Sequence, residues 1–227
     1  MSPPPPLFAS PALPTELLRY VIHHCVYPTT LIVCSSKEDF LSSLSHDISN
    51  PPVQEQEERL RSDSAPELLS ATLQQVGVAR HIQTVFIPTV SHLRAYLAVF
   101  ATGEHKVPPP PPTPPDKHTQ PRLVIYGFLD MHHGSSEWSA QGLSSTMAIL
   151  LETASDLGFE AVLIEPRMSG ENPASQLGRL TEPLPVLAGS AGRTGPGLDT
   201  ETRRGRTVTA RRVLARWVQF KEVSWKR

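Results

Sequence analysis

The sequence predicts an α/β domain: a mainly parallel central sheet flanked by helices, with antiparallel strands at the C-terminal end. Two observations carry this. Four short runs are continuously aliphatic and β-branched without polar alternation, as strands covered on both faces are. Helical periodicity fills the intervals, and alternation of strand and helix implies right-handed crossovers in a parallel sheet.

The first element in chain order is a helix. "PTELLRYVIHHC" (14–25) places Leu17, Leu18, Val21, Ile22 and Cys25 on one stripe, with Thr15 as N-cap after Pro14. The strand "TLIVCSS" (30–36) follows, then the strand "HIQTVFIPT" (81–89). The helix "TVSHLRAYLAVF" sets Leu93, Tyr96, Leu97 and Phe100 at i, i+3, i+4 and i+7, with Ser91 as cap. A third strand, "RLVIYGFLD" (122–130), ends in an acid. The long helix after it carries Leu143, Met147, Leu150, Leu151 and Ala154 on one face. Ser135 or Ser136 caps it, Glu137 suits the positive end of its dipole, and Gly158 stops it. "FEAVLIEP" (159–166) is the fourth strand. The tail, "RTVTARRVLARWVQFKEVSWKR" (206–227), is β-prone and partly alternating, and reads as one long strand or a hairpin added to the sheet.

A chain of 227 residues holds one full core. Its 24 prolines are clustered, which predicts extended inserts around a smaller folded body. The organisation expected is a disordered segment over 1–12 and a single domain over 13–227. Flexible inserts fall at 45–66, polar and charged, at 107–121, a polyproline run, and at 189–205, rich in Gly, Thr and Arg. Cys25 and Cys34 sit in apolar surroundings and read as buried thiols. Residues 1–6 are proline-rich instead of basic and apolar, and no apolar run approaches the roughly 18 residues of a membrane span. A nuclear or cytosolic location is expected, away from membranes.

An apolar strand ending in an acid is how the metal-ordering strand of a P-loop ATPase looks. A P-loop also needs Gly-rich backbone around the phosphates, a Lys for the β and γ oxygens, and a Ser or Thr for magnesium. None of the five lysines follows a glycine, and "LFASPALPTE", ahead of the first helix, has no glycine at all. Nucleotide hydrolysis by that route is excluded, no cofactor is expected, and the chain reads as no enzyme. Asp130 is then either the polar end of a buried strand or the remnant of a weakened nucleotide pocket. Glu165 ends the fourth strand as Asp130 ends the third. The two either face one crevice as an acid/base pair or are solvated separately at the strand edges.

The pairs His23–His24 and His132–His133 lack a third ligand at metal-site spacing, so no metal is expected. No G-x-S-x-G elbow surrounds any serine, which argues against a serine hydrolase. The polyproline run contains PxxP, either a ligand for SH3 and WW domains or a plain spacer. Residues 203–227 hold nine Lys or Arg against one acid, Glu222, while the chain as a whole carries a formal charge of −1. Arg203, Arg204, Arg206, Arg211, Arg212, Arg216, Lys226 and Arg227 are the candidate nucleic-acid contacts, with Trp217, Phe220 and Trp225 interleaved among the cations. The alternative is a charged sheet face or a protein interface, with Trp217 and Phe220 turned to the core.

The order of elements, from a first helix without a P-loop through "TLIVCSSKEDFLSSL", "IQTVFIPTVSHLRAYL" and the acid-tipped "LVIYGFLDMHH" to "AVLIEPR", resembles the ATPase core of the RecA-like recombinase paralogs. The end of the chain is similar to the closing hairpin of those cores. The resemblance implies a RecA-like fold, with Asp130 at the Walker B position and no evident match in "LIEPR" for the family's sensor residue. Small members lacking the P-loop act as assembly subunits: the Shu complex with its SWIM-associated partner, and the accessory ring of Elongator, which binds transfer RNA. The helix and strand in "MAILLETASDLGFEAVLIEP" resemble the SWIM-associated type more closely. The expected function is that of a non-catalytic subunit of a homologous-recombination DNA-repair assembly, binding single-stranded or branched DNA or a paralog partner. An Elongator accessory subunit and a polyproline-bearing scaffold are the alternatives.

Overall fold

The computed structural model describes residues 5–50, 72–100, 121–167, 178–187, 206–223 and 225. In chain order the elements are β1 (Leu7–Ala9), α1 (Pro14–His24), β2 (Thr29–Val33), α2 (Lys37–Ser49), α3 (Leu73–Ala79), β3 (Ile82–Phe86), α4 (Val90–Phe100) and β4 (Arg122–Tyr126). They continue with α5 (Phe128–His133), α6 (Ala140–Leu157), β5 (Glu160–Ile164), α7 (Gly178–Thr181), β6 (Pro183–Pro185), β7 (Thr207–Thr209), α8 (Ala210–Leu214) and β8 (Gln219–Lys221).

Six strands form one sheet in the order β3-β2-β4-β5-β1-β8, and every neighbouring pair is parallel. The antiparallel pairing is confined to the ribbon β6–β7. The four apolar runs are the four strands β2 to β5, and their burial follows their place. All five residues of β2 are buried, as are the last four of β4 and of β5, while edge strand β3 is half-buried at best. A parallel strand inside a two-sided sheet has no solvent face, so its sequence loses polar alternation.

Successive side chains divide the core into two layers. Phe8, Ile32, Leu123, Ile125 and Leu163 pack against α4, α6 and α8 through Leu93, Leu97, Leu143, Met147, Leu150, Val213 and Leu214. Ala9, Leu31, Val33, Val124, Val162 and Ile164 pack on the other side against Leu17 and Val21 of α1 and Phe40 of α2. Cys34 belongs to the first layer and Cys25 to the second, so the sheet separates them, and both are free buried thiols. Burial pushes the Cys25 thiol up to about 11.

Several expectations are corrected. Residues 7–12 are ordered: β1 pairs with both β5 and β8, and Phe8, Ala9, Ala12 and Leu13 are buried. A three-residue strand carries almost no local signal, and its stability comes from two neighbours distant in sequence. Residues 45–49, expected to open the first insert, are helical, because α2 runs to Ser49. This helix buries little, but Asp47 is buried and its carboxylate accepts from the Thr15 hydroxyl at 2.8 Å and the Thr15 N–H at 3.3 Å. Thr15 therefore joins two helices instead of capping α1. The caps of α4 and α6 are Thr89 and Ser139, accepting from the N–H groups of His92 at 3.2 Å and Gly142 at 3.0 Å, not Ser91 and Ser135 or Ser136. Gly158 does stop α6, in the left-handed region at φ +71°.

The third strand is shorter than its apolar run. It ends at Tyr126, Gly127 turns the chain with φ +86°, and Phe128 to His133 form α5, so Asp130 lies on a helical turn. The tail is neither one strand nor a hairpin. Thr209 caps the helix α8, its hydroxyl accepting from the Arg212 N–H at 3.4 Å, and β8 then joins β1 in parallel. Residues 51–66 of the first insert, 107–120 of the polyproline run, and 189–205 lie outside the described residues. Among the described residues no helix is long and apolar enough to cross a membrane.

Candidate functional site

Two of the places where this fold gathers polar chemistry hold the residues that the sequence singles out: the carboxyl edge of the sheet, and the surface around α8.

At the carboxyl edge, the loops after β1, β4 and β5 meet where α1 leaves toward one face of the sheet and α5 and α6 toward the other. Such a switch point is the usual ligand crevice of an open α/β sheet. Here it is filled by the chain itself. The Ala12 N–H donates to the Glu165 carbonyl at 2.9 Å, and the Ala12 carbonyl accepts from the Arg167 N–H at 3.0 Å and the Tyr126 hydroxyl at 2.9 Å. The Leu13 N–H donates to the Glu16 carboxylate at 2.8 Å, and the Thr15 N–H is held by Asp47. Pro11 and Pro14 have no N–H to offer. From residue 11 to residue 15, every backbone donor that exists at the start of α1 is already engaged, the last two by the protein's own carboxylates. Arg167 pairs with Glu16, which neutralises that carboxylate in place.

Asp130 and Glu165 come to this same edge, as one reading of the sequence expects, but in unlike states. Asp130 is about two-fifths exposed and forms an ion pair with Arg179 of α7. Glu165 is buried. Its Oε1 accepts from the Leu129 N–H at 3.0 Å, while its Oε2 is buried without a hydrogen-bond partner. Desolvation, reinforced by the negative charge of Asp130, pushes the Glu165 carboxyl up to about 8. It is therefore mostly protonated at neutral pH, fastening the turn after β4 to the end of β5.

Beneath this edge lies a polar chain of bonds that no sequence pattern announces. His132 is fully buried, with Nδ1 2.8 Å from the Phe128 carbonyl and Nε2 3.1 Å from the Thr146 hydroxyl. Thr146 accepts from Arg94 Nε at 3.0 Å, and the other end of that guanidinium reaches Glu137 at 2.6 Å and the Gly142 carbonyl at 3.1 Å. Burial lowers the His132 pKa to about 4, so the ring is neutral. With Nδ1–H donating to Phe128, Nε2 is the acceptor for Thr146, and α4, α5 and α6 are tied together. His133 points elsewhere and meets Glu182 at 3.1 Å. Among the described residues no group of three or more His, Cys, Asp or Glu could hold a metal ion.

The surface around α8 differs in kind. Ala210, Val213 and Leu214 are buried, which leaves Arg211 and Arg212 exposed, with Arg206 and Arg216 exposed on either side. None of the four guanidinium groups forms an ion pair with a described residue, whereas Arg94, Arg122, Arg167 and Arg179 each meet a carboxylate. Arg203, Arg204, Lys226 and Arg227 lie outside the described residues. The aromatic residues interleaved with these cations are turned inward. Trp217 and Phe220 pack against the first core layer, and Trp225 lies on the opposite side of the sheet.

Comparison with known proteins adds little to this geometry. No family model matches the sequence, and no curated protein matches it. Among solved structures, a DnaB-like replicative helicase, determined with its interactions with primase, shares 12% identity at a TM-score of 0.36. That match covers 70% of this chain and 38% of the helicase, so the chain spans about two-fifths of that protein's length. A second solved structure, an isolated ATPase domain, shares 13% identity at a TM-score of 0.37, covering 89% of this chain and 78% of that one. Both likenesses are too distant to bear on activity.

Proposed function

We propose that this chain is a non-catalytic subunit of RecA-like type that serves a homologous-recombination DNA-repair assembly and contacts nucleic acid through the basic surface around α8. One observation carries the nucleic-acid reading: Arg206, Arg211, Arg212 and Arg216 are exposed together, and no described acid neutralises them. A cluster of uncompensated guanidinium groups is the electrostatic footprint of a polyphosphate partner. The non-catalytic part is supported by the start of α1, where the amides of Ala12, Leu13 and Thr15 are engaged by Glu165, Glu16 and Asp47.

The test is DNA binding by the full chain, followed by fluorescence anisotropy over a salt series. Binding should weaken steeply with salt, and replacing all four arginines by Ala should weaken it at least tenfold at low salt and flatten the salt dependence by up to about 4 in log–log slope. Absence of binding at low salt, or binding that ignores the fourfold replacement, refutes the reading. A fluorescent ATP analogue should give no saturable signal, and saturation would return the chain to the nucleotide-binding class.

A further inference from the structure

The aromatic rings beside the arginines say what form of nucleic acid the surface fits. Single strands held without sequence preference lay their bases on exposed aromatic faces, each stacked base contributing about 1–3 kcal/mol. The three rings interleaved with the basic tail are half-buried, each partly covered by the protein itself. Phe220 lies between Phe8, with ring centroids 5.2 Å apart, and the Arg211 guanidinium, 5.2 Å from the ring centre. Trp217 is packed on the core with its indole nitrogen buried and without an acceptor. Trp225 stands edge-on to Tyr20 at 5.4 Å, its indole N–H donating to the Pro11 carbonyl at 3.0 Å, on the side of the sheet away from α8.

Among the described residues, the surface around α8 therefore presents exposed guanidinium groups beside rings that the protein partly covers. On such a surface an unstacked base finds at most part of a ring face, and a single strand still loses freedom on being ordered. A duplex is already ordered, and it carries one charge per about 1.7 Å of axis against about 3.4 Å for each strand. We infer that this surface takes the phosphate backbone of double-stranded nucleic acid, with no base stacked on the protein. This rests on the nucleic-acid reading above and narrows it to duplex or to the duplex arms of a branched molecule.

The experiment compares a duplex of about 30 base pairs with an oligothymidine of the same length, by competition at low salt, while tryptophan emission is followed. The full chain and an Arg211→Ala/Arg212→Ala variant, altered only at exposed positions, are measured together. The expected result is a duplex bound at least threefold more tightly than oligothymidine, unchanged tryptophan emission, and a loss in the variant that is the same for different duplex sequences. Tighter binding of oligothymidine with quenched emission overturns the duplex inference and leaves the basic contact standing. No binding of either probe, or a variant that binds as the parent does, overturns the nucleic-acid reading itself and this inference with it.

Discussion

The carboxyl edge of the sheet and the surface around α8 are both rich in polar groups, yet they use them in opposite ways. At the edge, cations and acids are matched within the chain: Arg167 with Glu16, Arg179 with Asp130, Arg94 with Glu137. The backbone donors at the start of α1 go to Glu165, Glu16 and Asp47. Around α8 the side chains that pack are apolar, and no described acid pairs with the arginines. A polar group with an internal partner contributes to holding the fold, while one without a partner keeps its charge for another molecule. Pairing among the described residues, not charge count, separates the two regions.

Variants at the two regions should separate stability from binding, with the largest effect at the edge. His132→Ala removes a buried ring and two hydrogen bonds, and leaves a cavity beneath α5 in which Thr146 keeps only the Gly142 carbonyl as acceptor. It should cost about 3–4 kcal/mol in urea unfolding. The protein that remains folded should bind DNA as before. Parallel loss of binding would show that the two regions are not independent. The same residue sets an acid limit. Its folded pKa, about 4, lies below the ordinary 6.5, so its contribution is complete above pH 6.5 and is lost as pH falls toward 4. His132→Ala should lack that part of the pH dependence.

Glu165→Gln comes next and sharpens the point, because here a buried group costs stability. The folded carboxyl titrates near 8, above its ordinary 4.5, so the folded state holds a proton that the unfolded chain has released. Stability from this group is complete below pH 4.5 and declines as pH rises to 8. Gln keeps an oxygen for the Leu129 N–H and cannot ionise. The variant should therefore gain on the order of 1–3 kcal/mol over the parent at pH 8 and little at pH 5, measured by chemical unfolding at both. An equal shift at both pH values would mean that the carboxyl is ionised in the folded protein.

The smallest effect belongs to the basic surface. Arg211→Ala/Arg212→Ala should change unfolding free energy by less than about 1 kcal/mol. Both residues are exposed, and the contact of Arg211 with Phe220 is worth about 0.5–1 kcal/mol. A larger loss would place these arginines among the groups that hold the fold, and would remove the contrast on which the binding proposal stands.

The central strands and α6 are legible in local patterns, whereas the turn at Gly127 and helix α8 carry local signals outweighed by their neighbours, and β1 carries none. The runs around Ile32, Val85, Val124 and Leu163 became β2 to β5, and the stripe of Leu143, Met147, Leu150 and Ala154 became the buried face of α6. The acid at 130 was misplaced because its apolar run continues across Gly127, whose positive φ ends the strand. A glycine inside a strand pattern was the available warning. For α8 the warning was Thr209, a cap residue ahead of two arginines, hidden by β-prone neighbours. For β1 there was no comparable signal, since three residues gain their place only from Val162, Leu163 and β8 across the chain.

By itself, then, the sequence determined the class of fold, the order of its central elements, and the collection of cations at its C-terminal end. Each of these is written in residues a few positions apart, where periodicity and composition act. Only the tertiary structure decided which polar groups are paired. Glu16 meets Arg167, Asp130 meets Arg179, Asp47 meets Thr15 and His132 meets Thr146, and all four meetings depend on how strands and helices pack. Pairing requires contact at about 3 Å, and contact between residues far apart in sequence is a property of the fold. The arginines left without a described acid around α8 became visible only after those pairs were made.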